Sequence, residues 1–214
     1  MRFALLGLSL IAIAGAIAIR LSPRHQPLAS SDGPAARVVH YVNPSQMAAT
    51  AATANSIAPA LNARDHTGNP FHWPDEGTRP VLVVFVKDGC PCSVEFEPFF
   101  HRLHAAYSGS IRFVGAIDVD VVGARRFAER NGTPYPLLPD PACEIVRRFG
   151  ADNGAYVALL SPDGTVDRMW PGLSVEAYSD IGRRLAAIAR VPERPLDTTG
   201  LPDALVTGCP FDRH

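Results

Sequence analysis

Lysine is all but absent from this 214-residue chain: of its 20 basic residues only Lys87 is a lysine, and the arginines form no cluster. Against 21 acidic residues they leave a net charge of −1, which is no electrostatic footprint for nucleic acid. No glycine-rich phosphate loop and no hydrolase nucleophile elbow occurs, so the residues offer no starting point for either chemistry. Histidine is missing between His104 and His214, and His101 and His104 lie too far along their own helix from Cys90 and Cys92 to close a metal shell. Neither a cofactor nor a metal is expected. No internal repeat is visible. Cysteine is scarce as well, with four in all: Cys90, Cys92, Cys143 and Cys209.

Two of those four stand in an informative place. Val81 to Val86 is apolar throughout and mostly β-branched, the pattern of a strand covered on both faces. Asp88-Gly89 breaks it, and Cys90-Pro-Cys-Ser93 follows. From Cys92 the apolar positions Phe96, Phe99, Phe100, Leu103 and Tyr107 recur at three- and four-residue spacing, with Glu95, Glu97 and Arg102 falling largely between them. The cysteines therefore open an amphipathic helix. Aligned peptide dipoles place roughly +0.5 charge at such an end, which favours thiolate over thiol. A plain packing or stapling role for the two cysteines is the competing reading. Lys87, three positions before Cys90, is either a cation that stabilises a thiolate or an ordinary loop residue.

Several stretches occur together in a fixed order: Ala58 to Phe71, Arg79 to Phe85, Cys90-Pro-Cys-Ser93 with Pro98, Leu138-Pro-Asp-Pro141, Arg148-Phe-Gly150 and Leu159 to Val166. In these, residues from about Ile57 to Arg190 resemble a thioredoxin-fold redoxin domain, of the alkyl hydroperoxide reductase/thiol-specific antioxidant and membrane-anchored thiol-disulfide oxidoreductase type. The resemblance implies an α/β fold with a central mixed sheet flanked by helices, thiol-disulfide exchange as activity, and protein thiols or disulfides as partners. It sets Cys90 at the first cysteine of the family's Cys-x-x-Cys pair. It also exposes departures: Ser93 stands where the second cysteine belongs, Ala155 where a cis-proline is usual, Gly89 where a tryptophan precedes the pair, and Val84 where a buried carboxylate is found. The threonine that peroxiredoxins carry three residues before the attacking cysteine is replaced by Lys87 or Gly89.

Ahead of this domain, Phe3 to Ile19 is uncharged and apolar, flanked by Arg2, Arg20 and Arg24. A membrane anchor and a secretory signal both fit that length, and the lack of a clean cleavage site favours the anchor. An even cysteine count beside an export-type N-terminus supports an extracytoplasmic domain. The expected organisation is an anchor or signal over residues 1–21, a linker over 22–56, the redoxin domain over 57–190 and an irregular tail over 191–214. Strand Val81 to Val86, helix Cys92 to Tyr107, strand Ile111 to Ile117 and helix Val121 to Asn131 are followed by helix Cys143 to Phe149. A hairpin Tyr156 to Trp170 and helix Val175 to Arg190 complete the expected order.

Cys90 is the expected attacking thiol and Cys92 its expected resolving partner. Residues two apart on a helix point to different sides, so that pairing requires Cys90 to sit just outside the helix. Cys143 is an activated thiol or a packing residue, and Cys209, in Thr207-Gly-Cys-Pro210, is a resolving thiol or a staple for the tail. A thiol peroxidase, and a tethered binding or metal-delivery module without catalysis, are the alternative functions.

Overall fold

The apolar run Val81–Val86 forms the central strand of a five-stranded mixed sheet, where its side chains are 0–2% exposed. A computed structural model describes residues 39–75 and 79–212 of the chain. In order, its elements are β1 (His40–Tyr41), α1 (Pro44–Ala51), β2 (Leu61–Arg64), β3 (Pro70–Trp73), β4 (Val81–Val86), α2 (Pro91–Tyr107) and β5 (Arg112–Ile117). There follow α3 (Val121–Asn131), β6 (Leu137–Pro139), α4 (Glu144–Phe149), β7 (Val157–Leu160), β8 (Val166–Trp170), α5 (Val175–Ala189) and β9 (Val206–Thr207).

The sheet runs β6-β5-β4-β7-β8. β4 pairs in parallel with β5, Val81 facing Arg112, and antiparallel with β7, Val81 facing Leu160. Side-chain alternation along β4 then divides the interior in two. Leu82, Val84 and Val86 join Phe96, Phe100 and Leu103 of α2 and Ile181 and Leu185 of α5, whereas Val81, Val83 and Phe85 join Phe71, Trp73, Val146 and Phe149.

Local signals set the helix ends. Cys90 is the N-cap of α2 in extended conformation (φ −83°, ψ 122°), with Pro91 pre-set for the first helical position. Pro98 lies inside α2, where it removes one backbone hydrogen bond, and burial of Phe96, Phe99, Phe100, Leu103 and Tyr107 offsets that loss. Asp120 caps α3 by accepting the Gly123 amide at 2.8 Å, and Ser174 caps α5 by accepting that of Ala177 at 3.1 Å.

The folded body is wider than the 57–190 expected. Within the stretch taken as linker, β1 and α1 are formed, α1 behind an Asn43–Gln46 capping box, and the Asn55 amide reaches Val166 O at 2.8 Å. Within the stretch taken as an irregular tail, β9 pairs with β1 and bridges Leu173. Strands two residues long carry no periodicity of their own, and their partners are distant in sequence. The Phe3 to Ile19 segment lies outside the described residues. Among the described residues no helix is long and apolar enough to cross a membrane.

Gly172 permits the docking of β9, because a Cβ there would fall 2.2 Å from the Val206 carbonyl oxygen. Backbone cannot yield as a flexible side-chain tip can. Gly172→Ala is expected to destabilise the protein by about 2 kcal/mol and to speed amide exchange at Val206, whose N–H donates to Leu173 O at 3.0 Å. Unchanged exchange there would contradict this account of the docking.

Candidate active site

β4 ends at Val86, the chain turns through Gly89 at φ +73°, and Cys90 begins α2 at the C-terminal edge of the central strand. The left-handed turn is why glycine fits at 89. Cys90 is 1% exposed. Its sulfur accepts the Cys209 backbone N–H at 3.0 Å. Burial pushes the Cys90 thiol up; the Cys209 amide and thiol, with the amides of Ser93 and Cys92, pull it down, and the net result lies below the ordinary thiol value. The same proximity acts in reverse on Cys209. Burial, the hydrogen bond to Cys90 and the charges of Cys90 and Cys92 push its thiol up to about 11 against an opposing Lys87.

Cys209 is held there by backbone. Gly208 N donates to Gly154 O at 2.8 Å and Gly154 N to Cys209 O at 3.0 Å, an antiparallel exchange along the loop before β7. Asn153 Nδ2 donates to Gly208 O at 2.8 Å. Ala155, in the position of the family's proline, has a left-handed φ of +63° and donates its N–H to Phe85 O at 2.7 Å.

The remaining expected site residues are distributed as follows. Ser93 is buried, and its Oγ accepts the Lys87 backbone N–H at 3.1 Å, so the hydroxyl braces the turn before Cys90. Lys87, expected beside the thiolate, extends its ammonium to Asp118 at 3.3 Å and Asp212 at 2.8 Å. Both carboxylates favour the charged form and outweigh burial, so its pKa is raised. Cys92, on the first turn of α2, is 3% exposed and packs in the core shared by α2 and α5. Cys143 caps α4 at φ +53° and belongs to the other core, where burial pushes its thiol up. The structure thus brings Cys209, rather than Cys143, to Cys90. Among the described residues no group of three or more His, Cys, Asp or Glu side chains is arranged to hold a metal ion.

This β-strand, turn, cysteine-capped helix and late antiparallel hairpin match known folds. The putative thiol:disulfide interchange protein DsbE of Chlorobium tepidum superposes with a TM-score of 0.58 at 17% identity, covering 64% of this chain and 97% of its own. The peroxidoxin BcpB of Mycobacterium tuberculosis does so with a TM-score of 0.54 at 20% identity, over 64% of this chain and 96% of its own. The chain carries a thioredoxin-like redoxin domain. In sequence, the thiol-disulfide oxidoreductase ResA of Geobacillus thermodenitrificans is 25% identical to it over 142 residues, which is 65% of this chain and 80% of ResA. No family model matches.

One group in the redoxin domain was not singled out from sequence. Glu97, placed there on the polar side of α2, is 2% exposed. Its carboxylate accepts Thr133 Oγ1 and Tyr135 Oη, each at 2.9 Å, and lies 3.4 Å from His101 Nε2. The available signal was its place between Phe96 and Phe100, on the border of the apolar stripe. Burial pushes Glu97 up to about 7 despite the two hydroxyl donors.

Because the unfolded carboxyl titrates near 4.5, the native state keeps a proton that the unfolded chain has lost between pH 4.5 and 7. Stability from this group is therefore expected to fall as pH rises through that window, by on the order of 2 kcal/mol. Glu97→Gln should flatten the slope in denaturant titrations at pH 4.5 and 7.5. An unaltered slope would assign it to other groups.

Proposed function

We propose that the chain is a thiol-disulfide oxidoreductase that exchanges disulfides with protein thiols through Cys90, on the extracytoplasmic side of a membrane to which Phe3–Ile19 anchors it. The observation that carries this is the Cys90 sulfur at the first turn of α2, ringed by amide donors and biased toward thiolate. A thiolate is the species that attacks a disulfide. Attack by Cys90 on a substrate disulfide forms a mixed disulfide and releases one substrate thiol; a second thiol then breaks the mixed bond and releases the other. The name carried by the ResA relative supports the same reading. So does Ser93, whose bond to the Lys87 amide steadies the turn without offering a competing thiol.

Peroxidase chemistry shares the fold but has no threonine three positions before either cysteine of the Cys90-Pro-Cys92 pair. The discriminating experiment reduces a model protein disulfide beside a hydroperoxide-consumption assay. Wild type is expected to exceed Cys90→Ser by about a hundredfold or more in the first assay. Equal rates for the two proteins, or peroxide consumption without disulfide reduction, would overturn the reading.

The location rests on the apolar N-terminal segment and on a site that works through free thiols and disulfides. A C-terminal reporter that is active only after export is expected to be active in a fusion to the full chain. A reporter active only in the cytoplasm giving the signal instead would remove the extracytoplasmic assignment while leaving the chemistry of Cys90 intact.

A further inference from the structure

The C-terminal segment from Val206 to Asp212 is seated against the thiol site more closely than a loose tail requires. It pairs with the loop before β7 through the Gly154 exchange, through a bridge between Asn153 and Pro210, and through Phe211 N donating to Asp152 O at 3.0 Å. A Cβ on Gly208 would meet Gly154 O at 2.7 Å, so glycine is what lets the two backbones approach. Phe211 is buried in the second core, and Asp212 pairs with Lys87 at 2.8 Å. In this register the Cys209 amide donates to Cys90 Sγ at 3.0 Å, and the two thiols lie close enough to shift each other's titration. Cys92 lies two residues on, in the first turn of α2, buried in the core that also holds Cys90.

We propose that Cys209 is the resolving thiol of this site, so that turnover passes through a Cys90–Cys209 disulfide. The inference rests on Cys90 as the attacking thiol. In the reducing direction the Cys90 thiolate attacks a substrate disulfide; a Cys90–substrate bond forms, the substrate S–S bond breaks, and the departing sulfur takes a proton. Cys209 then loses its proton and attacks Cys90 Sγ. The Cys90–Cys209 bond forms, the mixed disulfide breaks, and the second substrate thiolate is protonated. Two thiols have given two electrons to one disulfide, and the reverse sequence oxidises a substrate dithiol.

The electrostatics favour that order of events. Two of the causes that hold Cys209 protonated, the hydrogen bond to Cys90 and the Cys90 charge, exist only while Cys90 is a thiolate. Once Cys90 is tied up in a mixed disulfide its charge is gone, leaving burial and Cys92 to oppose the Cys209 anion and Lys87 to favour it. Attack by Cys90 thus eases the deprotonation of Cys209. It is also less buried than the other three cysteines, which leaves room for the exchange.

The test is peptide mapping, without reductant, of the full chain oxidised by a small disulfide. A Cys90–Cys209 cross-link is expected; a Cys90–Cys92 cross-link would overturn the assignment. With a model protein disulfide, Cys209→Ser is expected to accumulate a mixed disulfide on Cys90 about tenfold above wild type. Accumulation in Cys92→Ser instead would overturn the assignment and leave Cys90 as nucleophile. If no variant forms an adduct and Cys90→Ser matches wild type in disulfide reduction, the exchange reading itself fails. The wild-type map does not depend on either variant folding.

Discussion

A 3.0 Å hydrogen bond from the Cys209 amide to the Cys90 sulfur links two positions 119 residues apart in the chain, and the state of the site depends on it. A buried thiol surrounded by apolar side chains stays protonated and inert. At Cys90 amide dipoles from two directions converge on the sulfur and oppose burial, holding the thiol below its ordinary range: those of Ser93 and Cys92 from the first turn of α2, and that of Cys209 from the C-terminal segment. The helix contribution belongs to any cysteine-capped helix. The other needs the C-terminal segment in one register, which the reciprocal Gly154–Gly208 and Gly154–Cys209 hydrogen bonds impose.

The scaffold beneath is correspondingly stiff. β4 is buried on both faces and hydrogen-bonded on both edges, so its end is a fixed point from which Gly89 and Cys90 project. The Ser93 hydroxyl and the Asp118 carboxylate tie the amides of Lys87 and Asp88 at 3.1 and 2.7 Å. Asp118 also receives the Lys87 ammonium, and that ammonium reaches Asp212 in turn. The only lysine of the chain therefore fastens the C-terminal segment to the turn that carries Cys90. An exposed ion pair of this kind contributes little to stability, and Asp212 is largely exposed; the burial of Phe211 and the backbone ladder carry the larger share.

Against the thioredoxin-like pattern, the departures at Ser93 and Ala155 are coherent with this arrangement. A hydroxyl at 93 accepts a backbone N–H that a thiol would accept poorly. The left-handed Ala155 is a conformation closed to proline, whose ring fixes φ near −65°. Beside it Gly154 leaves no Cβ to collide with Lys87 and Ser93, at 3.2 Å from each, and offers both of its backbone groups to the C-terminal segment. The segment that residues 89 to 93 face is thus supplied from residues 206 to 212.

How much of this was legible beforehand follows the range of the interactions. The strand Val81–Val86, the cysteine-led helix and the closing hairpin are set by local periodicity, turn residues and caps, and the sequence alone determined them along with the thioredoxin-like class and the place of Cys90 at the head of α2. The burial of Glu97 lay at the edge of what periodicity resolves, since a border position faces whichever neighbour the fold supplies, here Thr133 and Tyr135. Residues 39–56 read equally as a short strand and helix or as linker, and the C-terminal segment was beyond periodicity, because a two-residue strand has no pattern and acquires its structure only from a distant partner. Which thiol stands beside Cys90 was likewise decided by tertiary structure alone. Spacing in the chain points to Cys92, whereas backbone pairing at Gly154 brings the Cys209 amide to the sulfur from 119 residues away, a contact that no local pattern carries.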